Sequence, residues 1–65
     1  MKNIVAQLRK ERGLSQEELG KLLGVSRQTI ISIEKERFDP SLPLAFAIAQ
    51  TFEQPLESIF FPDEL

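Results

Sequence analysis

With 65 residues the chain has room for one domain spanning 1–65, because a chain this short buries only about 60% of its unfolded surface and has no core to divide. It contains no Cys and no His, which excludes a disulfide framework, a thiolate metal site and the base on which most hydroxyl nucleophiles depend. A net charge of −2 speaks at first against a polyanionic partner.

The spacing of apolar residues predicts five helices. The first runs over about 2–11, with Ile4, Val5 and Leu8 on one face and Gly13 closing it, after which Leu14 turns inward. Ser15-Gln16-Glu17-Glu18 reads as a capping box that starts the second, with Leu19, Leu22 and Leu23 facing the core. Gly24 ends that helix, Val25 points inward, and Ser26 caps a third helix whose Ile30 and Ile33 lie one turn apart and which fades near Lys35. Phe38-Asp39-Pro40 reads as a loop. Ser41 then caps a fourth helix that tolerates Pro43 in its first turn and turns Leu44, Ala45, Ile48, Ala49 and Phe52 inward. Gln54-Pro55 interrupts the pattern, residues 56–60 suffice for a short fifth helix, and Phe61-Pro62 ends it. No strand signal or internal repeat competes with this all-α reading.

No apolar run approaches the roughly 18 residues of a membrane span, and Met1-Lys2-Asn3 does not open a signal peptide, so a cytosolic chain is expected. The carboxylate pairs Glu17-Glu18 and Asp63-Glu64 read as solvated acids, which leaves no candidate catalytic or metal residue and calls for no cofactor or small-molecule ligand. Charge is distributed unevenly. Residues 1–37 hold all eight bases against five acids, a local +3, whereas residues 38–65 hold five acids and no base. This asymmetry suggests one face for an anionic partner and another face for a different task.

The spacing from Gln16 through Leu19, Gly20, Leu23, Gly24, Val25 and Ser26 to Ile30 and Ile33 describes two short helices joined by a tight turn. A small residue stands where the helices cross. Such a pair suits DNA, since the first helix braces across the backbone while the second enters the major groove. Side chains of the third helix outside the Ile30–Ile33 stripe then face the groove. Arg27 matches guanine, Gln28 matches adenine, Ile31 can meet a thymine methyl, and Ser32 can bond to several base edges. Gln16 and Ser26 stand at helix N-termini that favour phosphate, although both also serve as helix starters, and Lys35 and Arg37 are further phosphate candidates.

Leu8-Arg9, the stretch from Gly13 to Leu19, the stretch from Gly24 to Ile30, Ile33-Glu34, and Pro40-Ser41-Leu42 leading into Ala47-Ile48-Ala49 follow in order along residues 4–60. Together they resemble the phage-repressor and Cro-like, xenobiotic-response-element (XRE) helix-turn-helix family. The chain departs from it at Gly20, where the family more often has Ala, and at Glu36, where many members have Gly. The resemblance implies a compact, five-helix, lambda-repressor-like fold with the helix-turn-helix in helices 2 and 3, and the same base-reading roles for Arg27, Gln28 and Ser32. It also implies that Arg9 pairs with Glu34 and leans toward the DNA backbone.

The expected function is a sequence-specific transcription regulator, a repressor or an activator, of bacterial or phage type and associated with the nucleoid. It would bind double-stranded DNA as a homodimer on a pseudo-palindromic operator. Phe52, Leu56, Ile59, Phe60 and Phe61 suggest the dimer interface, although the first part of this cluster would also serve to complete a monomer core. The alternative is a protein-interaction module, such as an antitoxin or adaptor, that uses the same fold.

Overall fold

The computed structural model describes residues 1–62. In chain order these form β1 (Lys2–Asn3), α1 (Val5–Glu11), α2 (Gln16–Leu23), α3 (Arg27–Glu34), α4 (Leu42–Phe52), α5 (Leu56–Ile59) and β2 (Phe60–Phe61). The five expected helices are present, and the fold is the all-α helix-turn-helix arrangement with one addition. β1 and β2 pair antiparallel, with Lys2 opposite Phe61 and Asn3 opposite Phe60. Two residues are too few to show a period of two, so the pattern could not announce this strand pair. It also corrects the first helix, which was expected from residue 2. Asn3 Oδ1 accepts the Val5 N–H at 3.1 Å, so the helix begins after it, and Asn3 Nδ2 donates to the Ile33 carbonyl at 3.0 Å.

Three serines start the long helices as their spacing predicts. Ser15 Oγ accepts from the Glu18 N–H at 3.0 Å while the Ser15 N–H donates to Glu18 Oε1 at 2.8 Å, a complete capping box. Ser26 and Ser41 accept from Thr29 and Leu44. Each such cap is worth about 1 kcal/mol. The Ser15 backbone N–H and then its hydroxyl hold the Glu18 carboxyl below its ordinary range. The lowered value means that this stabilisation is complete at neutral pH and is lost as pH falls through it.

The helix ends follow one rule with two kinds of residue. After α1, the Leu14 N–H returns to Arg9 O and the Gly13 N–H to Lys10 O; after α2, Val25 returns to Gly20 and Gly24 to Lys21. This double closure requires a left-handed residue, and Gly13 (φ 67°) and Gly24 (φ 72°) supply it. The same closure ends α3, with Arg37 returning to Ser32 and Glu36 to Ile33, and α4, with Gln54 returning to Ala49 and Glu53 to Gln50. There Glu36 (φ 63°) and Glu53 (φ 55°) take the strained conformation, at a cost of about 1–2 kcal/mol each. Arg12 supports the α4 end by donating to the Thr51 and Phe52 carbonyls at 3.2 Å, with its guanidinium 5.8 Å from the centre of the Phe52 ring.

Val5, Leu8, Leu19, Ile30, Ile33, Ala45, Ile48, Ala49, Phe52, Ile59 and Phe60 form the core. Leu22 was expected there but is 63% exposed, because it lies roughly a third of a turn from the face shared by Leu19, Gly20 and Leu23. The proposed interface cluster also needs correction. Phe52, Ile59 and Phe60 are buried within this one chain and Leu56 is half-buried against the core, which leaves Phe61, 38% exposed, as the outward member. The strand pairing explains the split, since consecutive strand residues face opposite ways. No helix among the described residues is long and apolar enough to cross a membrane.

Candidate nucleic-acid interface

The turn between α2 and α3 depends on a close approach. A Cβ built on Gly20 would stand 2.8 Å from the Val25 carbonyl oxygen and 3.4 Å from the Ser26 carbonyl carbon. The missing side chain therefore sets how near α3 comes to α2.

From that turn α3 projects its first residues outward. Arg27 and Gln28 are exposed, Ile31 and Ser32 are half-buried, and Ile30 and Ile33 are fully buried. The four expected base readers thus divide into an exposed leading pair and a pair closer to the protein. Arg27, Lys35 and Arg37 make no side-chain hydrogen bond or ion pair among the described residues. Ser26 is exposed at the helix start. The closure that ends α3 turns the chain back, so that Arg37 and Phe38 join Ser26, Gln28, Thr29 and Ser32 around one open notch.

Other expected contacts are placed differently. Arg9 is buried; its Nε and Nη2 donate to Glu34 at 2.7 and 3.2 Å, and its Nη1 donates to the Leu14 carbonyl at 2.9 Å. The expected ion pair is therefore present, whereas the expected lean toward phosphate is not, because the guanidinium is enclosed and engaged. Gln16 is half-buried and donates to Glu34 Oε1 at 3.1 Å, which leaves its carbonyl and one amide hydrogen for an outside partner. Glu34 accordingly ties α1, α2 and α3 together. Among the remaining carboxylates, Glu17 lies 3.8 Å from Lys21, Glu18 completes its cap, and the Asp63-Glu64 pair lies outside the described residues.

Two features escaped the sequence reading. Phe38, expected only as a loop residue, is 47% exposed in the notch beside α3. Leu42 and Phe46 are 63% and 53% exposed on α4. Their signal was present, since α4 is apolar on nearly all sides and carries a second stripe at i, i+4 spacing.

Comparison with known proteins places these elements in a wider group. A helix-turn-helix family model matches residues 5–59. An HTH-type transcriptional regulator of Methanocaldococcus jannaschii is 53% identical over 64 residues, covering 98% of this chain and 97% of its own length. The Bacillus subtilis HTH-type transcriptional regulator YgzD is 47% identical with the same coverage. Among solved structures, the restriction-modification controller protein C.AhdI from Aeromonas hydrophila superposes with a TM-score of 0.76 at 28% identity, covering 86% of this chain and 81% of that one.

Proposed function

The chain belongs to the helix-turn-helix (XRE/Cro-like) family of DNA-binding transcription regulators, and on that premise we propose a sequence-specific regulator that reads an operator's major groove with α3 as a homodimer. It is a regulator and not an enzyme. The observation that carries the finer reading is the α3 surface itself, where Arg27 and Gln28 stand exposed and unengaged on a helix whose opposite side is locked into the core. Ile31 and Ser32 complete the base-reading set. Ser26, Gln16, Lys35 and Arg37 hold the phosphate backbone, while Arg9 leaves that set and acts beneath it. The partner places the protein with the nucleoid in the cytoplasm.

Salt dependence tests this reading. Equilibrium titration of a duplex in rising salt is expected to show a steep linear fall in log affinity, and Lys35→Ala should lower that slope by about one unit on every sequence. An unchanged slope would remove Lys35 from the interface. The interaction-module alternative drew on the aromatic segment 52–61, most of which is core.

The homodimer requires a surface other than the one first expected. Leu42 and Phe46 project from α4 beside two concave surfaces, one lined by Ala49, Gln54, Pro55 and Leu56 next to Phe46 and the other by Met1, Pro40, Ala45 and Phe60 next to Leu42. An isologous contact needs ridge and groove on one face, and here both occur together. Dimerisation would set two α3 helices about 34–36 Å apart to meet successive major grooves. In sedimentation equilibrium at micromolar concentration the chain is expected to show a dimer mass that Phe46→Glu reduces to the monomer, with loss of operator binding. A wild-type monomer, or a variant that stays dimeric, would refute this face.

A further inference from the structure

Phe38 is almost half exposed and is not among the apolar residues packed against the core, so its burial must come from outside the described fold if it comes at all. Its neighbours in the notch are donors. Arg37 offers an unengaged guanidinium, and the Ser32 hydroxyl and Gln28 carboxamide make no side-chain hydrogen bond. Ser26 Oγ and Thr29 Oγ1 lie 3.0 Å apart while Ser26 Oγ also accepts from the Thr29 N–H. Whichever hydroxyl donates within that pair, the other keeps a hydrogen to give. Among the described residues no carboxylate lines the notch; Glu36 is exposed next to Arg37 but outside the lining. A donor-rich hollow with one flat apolar wall suits an anion attached to a small apolar ring.

We propose that this notch seats one phosphodiester of the duplex with its deoxyribose, Arg37 and the spare hydroxyl taking the phosphate and Phe38 lying against the sugar. The proposal rests on the DNA-reading role of α3 and adds to it a residue, Phe38, that fixes the depth and register of the helix without reading sequence. A protein partner fits the same surface less well, because covering Phe38 that way would also cover Gln28 and Ser32.

The test uses the full chain with a duplex selected from a random pool and with an unrelated duplex. Phe38→Ala is expected to weaken binding to both by the same factor, roughly tenfold, the size expected when a moderate apolar area is no longer removed from water. Phe38→Leu should recover part of the loss. A methylphosphonate placed at each position in turn should reveal one site whose penalty in the wild type vanishes in Arg37→Gln. Wild-type affinity in Phe38→Ala, a loss confined to the selected duplex, or no Arg37-dependent phosphate would each overturn the proposal while DNA reading stands. Unchanged DNA binding with altered self-association would likewise overturn it and assign the notch to protein. Failure of the wild-type chain to bind any duplex would instead remove the reading beneath it.

Discussion

Glu34→Ala is expected to lose about 3–5 kcal/mol of folding stability, the range seen when one partner of a buried ion pair is removed. The Glu34 and Arg9 side chains are only 7% and 11% exposed, so deleting the carboxylate leaves a guanidinium with nowhere to be solvated. Gln16 loses its partner as well, and the link among α1, α2 and α3 opens. A domain of this size holds roughly 3–10 kcal/mol in total at about 0.05–0.15 kcal/mol per residue, so much of the population should unfold at ordinary temperature. Denaturant titration measures this. The double variant Arg9→Met with Glu34→Leu should be more stable than either single change, since it leaves no uncompensated charge. A loss below about 1 kcal/mol in Glu34→Ala would mean the pair behaves as a surface contact.

Gly20→Val is expected to be the second large effect and to damage binding along with folding. Its Cβ would meet the Val25 carbonyl oxygen at 2.8 Å, and the obstacle is backbone, which cannot swing aside like a side-chain tip. The two γ-carbons add to that demand, and overpacking of this kind costs about 1–3 kcal/mol. The strain relaxes by moving α3 away from α2, so duplex affinity should fall even at temperatures where the variant remains folded. Gly20→Ala makes the milder comparison, because its methyl meets the same backbone oxygen at 2.8 Å without the added γ-carbons, and about 1 kcal/mol of recovered helix propensity offsets part of that clash. Denaturation together with duplex titration separates the two effects. Wild-type affinity in a folded Gly20→Val protein would show that the angle between the helices is not set here.

The contrast among these residues explains what the sequence could and could not show. Ser15, Ser26 and Ser41 were legible as helix starts because capping is local chemistry within three residues. Gly13 and Gly24 were legible as helix ends because glycine marks the left-handed region. Glu53 occupies the same conformation without a marker, and Glu36 is marked only through the resemblance, where many members have Gly, so the shape of the α3 exit, and with it the notch, comes from the structure. Phe60 was misplaced for a different reason. Whether it faces in or out is decided by pairing with Lys2 and Asn3, more than fifty positions away, and no local pattern carries such a partner. Arg9 shows both sides of the matter, since the resemblance gave its partner correctly while its burial depended on Gln16 and Leu14 closing around the same pair. Leu42 and Phe46 also stand at i, i+4 spacing, but one inward stripe suffices to pack a helix, so the pattern alone does not tell that a second stripe faces outward.

If α3 reads base sequence, selection from random duplex DNA followed by equilibrium binding at one fixed salt will show it. The selected duplex should bind at least about a thousandfold more tightly than an unrelated one. Arg27→Ala and Gln28→Ala should each lose about 1–3 kcal/mol on the selected duplex, relax preference at one base pair, and leave helicity and binding to the unrelated duplex nearly unchanged. A pool in which no sequence is enriched, or variants that lose equally on both duplexes, would mean that α3 grips phosphate alone and reads no sequence.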